Sequence, residues 1–125
     1  MITHPRTEEL AEAVAAWIDQ IRPGLDPRNA FLARVAANAM ATIRREITQG
    51  PAAEAAAVEA MAGVLGRAGT YDALNAGLCE RIRAGELTAA TPGLLRALRI
   101  MADDQLAIDQ PSYRPEGSRP LPTPG

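Results

Sequence analysis

Apolar residues recur along most of this chain at steps of three and four, the repeat of helices with one buried face. Five such segments are legible. The first has Thr7 as its N-cap, with Glu8 and Glu9 at the positive helix end. Leu10, Val14, Trp17, Ile18 and Ile21 form its apolar stripe, and Pro23-Gly24 ends it. The second opens with Asp26-Pro27, a cap followed by proline at the first helical position. It runs to about Thr48, with Leu32, Val35, Ala36, Ala39, Ile43 and Ile47 as its buried face, and Gly50-Pro51 breaks the chain.

The third segment, 52–66, is rich in alanine, with Val58, Met61 and Leu65 on one edge. Thr70 caps the fourth, which carries Tyr71, Leu74, Leu78 and Ile82 on one face and stops at Gly85. The fifth repeats the cap-plus-proline device at Thr91-Pro92. Leu94, Leu95, Leu98, Met101 and Ile108 are its apolar positions, and Pro111 terminates it. Short connections predict largely antiparallel neighbours. The expected fold is therefore all-α, a single bundle of five helices over 1–110. A tail over 111–125 holds five of the ten prolines and is expected to be extended or disordered.

Composition sharpens the picture. Of 125 residues 47% are apolar, with few β-branched side chains and only four aromatics, which favours tightly packed helices over a sheet. Trp17 and Phe31, each on an apolar stripe, read as core anchors. All 13 basic residues are Arg, so a Schiff-base, P-loop or kinase lysine is excluded. The serines, Ser112 and Ser118, both lie in the tail, which speaks against a Ser-His-Asp hydrolase. His4 and Cys79 are single, so neither an internal disulfide nor a Cys/His zinc site can be assembled from this chain. Cys79 reads as an inert packed thiol. A formal net charge of −2 offers no basic excess for nucleic acid. No apolar run approaches a membrane span, and the N-terminus lacks the pattern of a signal peptide, so a cytoplasmic protein is expected.

Some polar residues invite a second reading. Arg34 and Asn38 are four apart and share a helix face. A partly buried Arg needs an acidic or carbonyl partner, and Asp109 is one candidate. The pair either fixes helix register in an internal network or reaches a partner protein. Arg44-Arg45-Glu46 and Arg81-Ile82-Arg83 read as solvated helix faces, with phosphate contact as the alternative. The carboxylates Asp103, Asp104 and Asp109 lack the spacing and histidine partners of a di-metal bundle.

Three stretches taken together resemble a known family. They are Phe31-Leu32-Ala33-Arg34-Val35-Ala36-Ala37-Asn38-Ala39-Met40 with Arg45-Glu46; Leu74-Asn75 followed by Arg81-Ile82-Arg83-Ala84-Gly85-Glu86-Leu87; and Leu106-Ala107-Ile108-Asp109-Gln110-Pro111 with Tyr113. They resemble, over about 7–113, small helical bacterial proteins carrying a domain of unknown function. Members are typically encoded beside kinases similar to aminoglycoside phosphotransferases, and often beside acyl-CoA dehydrogenases. One member, in levulinate catabolism, looks like the small subunit of a two-protein 4-hydroxyacyl-CoA kinase. The resemblance implies an accessory subunit, not an enzyme on its own, with no cofactor of its own. The kinase subunit would hold ATP, Mg²⁺ and the catalytic Asp. The polar members of the matching stretches, Arg34, Asn38, Asn75, Arg83, Asp109 and Tyr113, become the candidate interface or polar-network residues. Other readings are a stand-alone binder of acyl-CoA or another small molecule, and a homo-oligomer in which the Ala-rich third segment packs against a copy of itself.

Overall fold

A computed structural model describes residues 6–113. The expected tail, apart from Pro111–Tyr113, lies outside those residues. Within them the chain is all-helical, with no strand. Four α-helices are present: α1 (Thr7–Ile21), α2 (Pro27–Leu65), α3 (Tyr71–Arg83) and α4 (Leu94–Asp109). A 3₁₀ turn at Arg22–Gly24 joins the first two.

The second and third expected segments are one helix. α2 runs for 39 residues straight through Gly50 and Pro51. A proline inside a helix removes one backbone hydrogen bond and crowds the carbonyl four residues back, at a cost of ~3 kcal/mol. Packing outweighs that cost here. Residues of α2 before and after the proline, from Glu46 to Ala57, line the same surface against Met101, Asp104 and Ile108 of α4. The proline itself is exposed, at the rim of that surface.

Asp26 caps α2 as expected: its side chain accepts from the backbone N–H of Asn29 at 3.3 Å. Thr70 caps α3 in the same way through the N–H of Ala73 at 3.2 Å. Gly66 and Gly85 take the left-handed conformation just past the ends of α2 and α3, where a side chain would be strained. Two caps differ. Arg6, not Thr7, occupies the cap position of α1, where its backbone N–H and side chain both donate to Glu9. α4 begins at Leu94, after left-handed Gly93. Thr91 Oγ1 instead accepts from the N–H of Thr88 at 2.9 Å and tightens the preceding turn. Ser/Thr hydroxyls serve turns as readily as helix caps, so the motif alone does not choose.

α2 is the axis of the molecule. The backbones of α1, α3 and α4 each lie beside α2, and none lies beside another. α1 runs antiparallel to the first half of α2, which brings Glu12 within 3.8 Å of Arg44. α4 runs antiparallel to the second half, with Gly93 beside Val64 and the carbonyl of Ile108 beside Arg45. The core sits on that second half: Ala57, Met61, Leu74, Leu78, Leu87 and Leu94 form one buried cluster. Met61 has no exposed surface at all. The Ala-rich stretch of the sequence therefore meets its own chain at Ala57 and Met61, while Ala52 and Ala55 stay exposed.

At the other end burial is thin. Ala11, Ile18 and Ala37 are buried between α1 and α2, but the expected core anchors are not. Trp17 is 59% exposed and Phe31 63%, while Leu10, Val14, Leu32, Val35 and Ile43 are also on the surface. Ala36 and Ala39 are exposed too. Periodicity identifies which face of a helix is apolar; it does not say whether the chain has another element to cover it. Here α1 approaches α2 from a different side, centred on Ala37, and the expected buried face stays open.

Candidate functional site

Beside Pro51 a cleft of about 400 Å³ opens between α2 and α4. Its α2 wall presents Glu46, Gly50 and Glu54 at four-residue steps, which places them on one face. Its α4 wall presents Asp104 and Gln105, and Tyr71 comes from the start of α3. Ala57, Met101 and Ile108 supply apolar surface. Gly50 keeps the wall low: a side-chain carbon there would lie 3.5 Å from Glu46 Oε1. Three carboxylates line the cleft without any basic side chain. What these groups can do is accept hydrogen bonds and balance a cation. No cluster of three or more His, Cys, Asp or Glu side chains suited to a metal ion occurs among the described residues.

Arg45 closes one end of this region. Its Nε donates to the carbonyl of Ile108 at 2.7 Å and its Nη2 donates to Thr42 Oγ1 at 3.2 Å. The last carbonyls of a helix lack intrahelical donors and sit at its negative end, so a guanidinium there answers both needs. Arg45 was expected on a solvated face; it is partly buried and fastens α4 to α2. Nothing local in the sequence marks it, because its partner is a backbone carbonyl 63 residues away. Its neighbour Arg44 does lie at the surface, paired with Glu12.

A second concavity, also about 400 Å³, lies at the start of α4 and is more apolar, with Ala60, Gly63, Val64, Pro92, Arg96 and Ile100 in its wall. A third, of about 360 Å³, sits at the turn of the α1–α2 hairpin and includes Arg22, Phe31 and Arg34.

The six residues singled out in the sequence are spread along the molecule. Arg34 is exposed at the hairpin turn. Asn38, one helical turn on, is exposed, and its backbone carbonyl accepts from Thr42 Oγ1 at 3.1 Å. Asn75 is half-buried on α3, and Arg83 is exposed as that helix's last residue. Asp109 ends α4 and accepts from Gln105 Nε2 at 2.7 Å. Tyr113 lies beyond it, half exposed. No hydrogen bond or ion pair joins Arg34 to Asp109, and the expected internal network between them is not formed: Arg34 is at the hairpin turn, and Asp109 lies at the far end of α4, in the region of Arg45. Cys79 is a free, half-buried thiol on α3.

No helix among the described residues is long and apolar enough to cross a membrane. No curated protein and no solved structure matches the chain. A family described as Domain of unknown function (DUF6285) matches residues 23–113. That span takes in α2, α3 and α4 whole, with the acidic cleft and Arg45, and leaves α1 outside. Matched over more than half of its length, the chain belongs to the family of the domain of unknown function DUF6285.

Proposed function

We propose that this chain is a non-catalytic accessory subunit of an aminoglycoside-kinase-like phosphotransferase that acts on hydroxyacyl-CoA. The observation that carries the reading is the placement of its large apolar side chains. Leu95 and Leu98 of α4 and Ile82 of α3 stand on the surface, in addition to those of the α1–α2 hairpin. Single exposed apolar residues are ordinary, but contiguous patches beyond a few hundred Å² mark surfaces made to meet another molecule. The sequence resemblance supplies the identity of that molecule. The α3–α4 half also carries Asn75, Arg83, Asp109 and Tyr113, polar groups able to fix the register of an apolar contact.

Co-expression of the tagged chain with the aminoglycoside-kinase-like protein encoded nearest to it tests the proposal. A stoichiometric complex that survives size exclusion is the expected result, with hydroxyacyl-CoA phosphorylation by the kinase falling when the chain is withheld. Clean separation of the two at micromolar concentration, with kinase activity indifferent to the chain, overturns it.

A further inference from the structure

Arg34 stands out in the sequence, and the fold leaves it without the partner expected for it. It is exposed, and no hydrogen bond or ion pair holds its guanidinium among the described residues. Phe31, three residues back on the same face of α2, is 63% exposed. Arg22 reaches the same place from the 3₁₀ turn, so that Arg22, Phe31 and Arg34 line one concavity of about 360 Å³.

Two features decide what that concavity can hold. The first is charge. No acidic side chain lines it, and Pro27, the first residue of α2, places the positive end of a 39-residue helix at its edge. The carboxylates nearest along the chain do not compete strongly. Both oxygens of Asp26 accept from Asn29. Asp19 meets Arg22 at 3.5 Å with 56% of its side chain exposed, a surface pair that water and salt screen. That single contact leaves the Arg22 guanidinium further donors. Guanidinium forks match phosphate oxygens, and two of them around one concavity favour a doubly charged phosphate.

The second feature is the ring. An exposed phenyl beside two cations offers its face to a flat base, and stacking of this kind is tolerant of which base is present. Pro23 and Pro27 add rigid apolar wall. The volume is at the lower end for a small-molecule site, which suits a mononucleotide rather than an extended ligand.

We infer that the turn of the α1–α2 hairpin is a binding site for a mononucleotide, with Arg22 and Arg34 on the phosphate and Phe31 against the base. The inference goes beyond the accessory-subunit reading and does not rest on it.

Isothermal titration of the purified full chain with AMP, adenosine and inorganic phosphate is the test. AMP should bind at least about tenfold more tightly than either fragment, because it alone engages both the arginines and the ring. Arg34→Gln is expected to weaken AMP by about tenfold. Phe31→Leu keeps apolar bulk without the ring and should also weaken AMP severalfold. Arg99→Gln, on α4 away from the hairpin, should leave binding unchanged. Arg34 and Phe31 are on the surface, so helical circular dichroism should persist in both variants, and Arg22→Gln serves if Arg34→Gln misfolds. The absence of any heat with AMP up to low millimolar concentration overturns the inference. So does binding that inorganic phosphate alone matches, or that neither Arg34→Gln nor Phe31→Leu alters.

Discussion

Asp26 carries the start of α2 with one carboxylate. It accepts from the side-chain amide of Asn29 at 2.6 Å and from the backbone N–H of the same residue at 3.3 Å. The side-chain bond first, and the backbone bond after it, hold the Asp26 carboxyl below its ordinary value of 3.8. A carboxyl whose affinity for protons is lower folded than unfolded stabilises the fold above the unfolded value. That contribution is lost as the pH falls through the folded one. Stability is therefore expected to drop below about pH 4 in part through this cap. In Asp26→Asn that part of the acid dependence should disappear, while the cap itself, which Asn can also make, is kept. Thermal melts of the two proteins between neutral pH and pH 3 check this, and identical pH profiles would contradict it. At the same scale, the capping pattern made Asp26 legible from the sequence, because donor and acceptor lie three residues apart. Arg45 was not legible, because its acceptor is reached only after the chain has turned twice.

At the scale of the element, α2 sets local chemistry against packing. Gly-Pro is a breaker by propensity, and a reading from neighbours alone ends a helix there. The helix continues because α4 lies along residues on either side of Pro51, so that an interruption would separate Glu46 and Gly50 from Ala57 and open the surface they share. The proline is thus a tolerated cost. Pro51→Ala is expected to stabilise the protein by about 1–3 kcal/mol, since it restores a backbone bond and a good helix former. The midpoint of thermal unfolding should rise by several degrees. A fall in the midpoint would mean that the proline shapes α2 to fit α4. The caps of α1 and α4 make the same point in miniature. Thr7 and Thr91 carry the right side chain in the right neighbourhood, yet Glu9 and the Thr88 turn claim the local hydrogen bonds.

At the scale of the molecule, two unequal halves hang on one helix. The half built on α3, α4 and the end of α2 has a continuous buried cluster. The hairpin half has Ala11, Ile18 and Ala37 between its helices and large apolar side chains outside. Local opening follows the density of buried contacts. Amides of α1 in dilute protein should therefore exchange at least about tenfold faster than those around Met61, Leu74 and Leu78. Hydrogen exchange read by mass spectrometry resolves this, and equal protection of the two halves would show that the molecule opens as one unit.

What the sequence determined by itself is the helical class, the faces that are apolar, the caps at Asp26 and Thr70, and the stops at Gly66 and Gly85. All of these rest on interactions within about one helical turn, or on the backbone freedom of a single residue. Only the tertiary structure decided that Pro51 lies inside a helix, that Arg45 holds the end of α4, and that the acidic cleft forms. It also decided that the apolar face from Leu32 to Ile43 is surface while Ala57 and Met61, further along the same helix, are core. The physical reason is the same in each case: burial and long-range hydrogen bonds depend on which element arrives from elsewhere in the chain. A helix with an apolar face carries no record of what covers it.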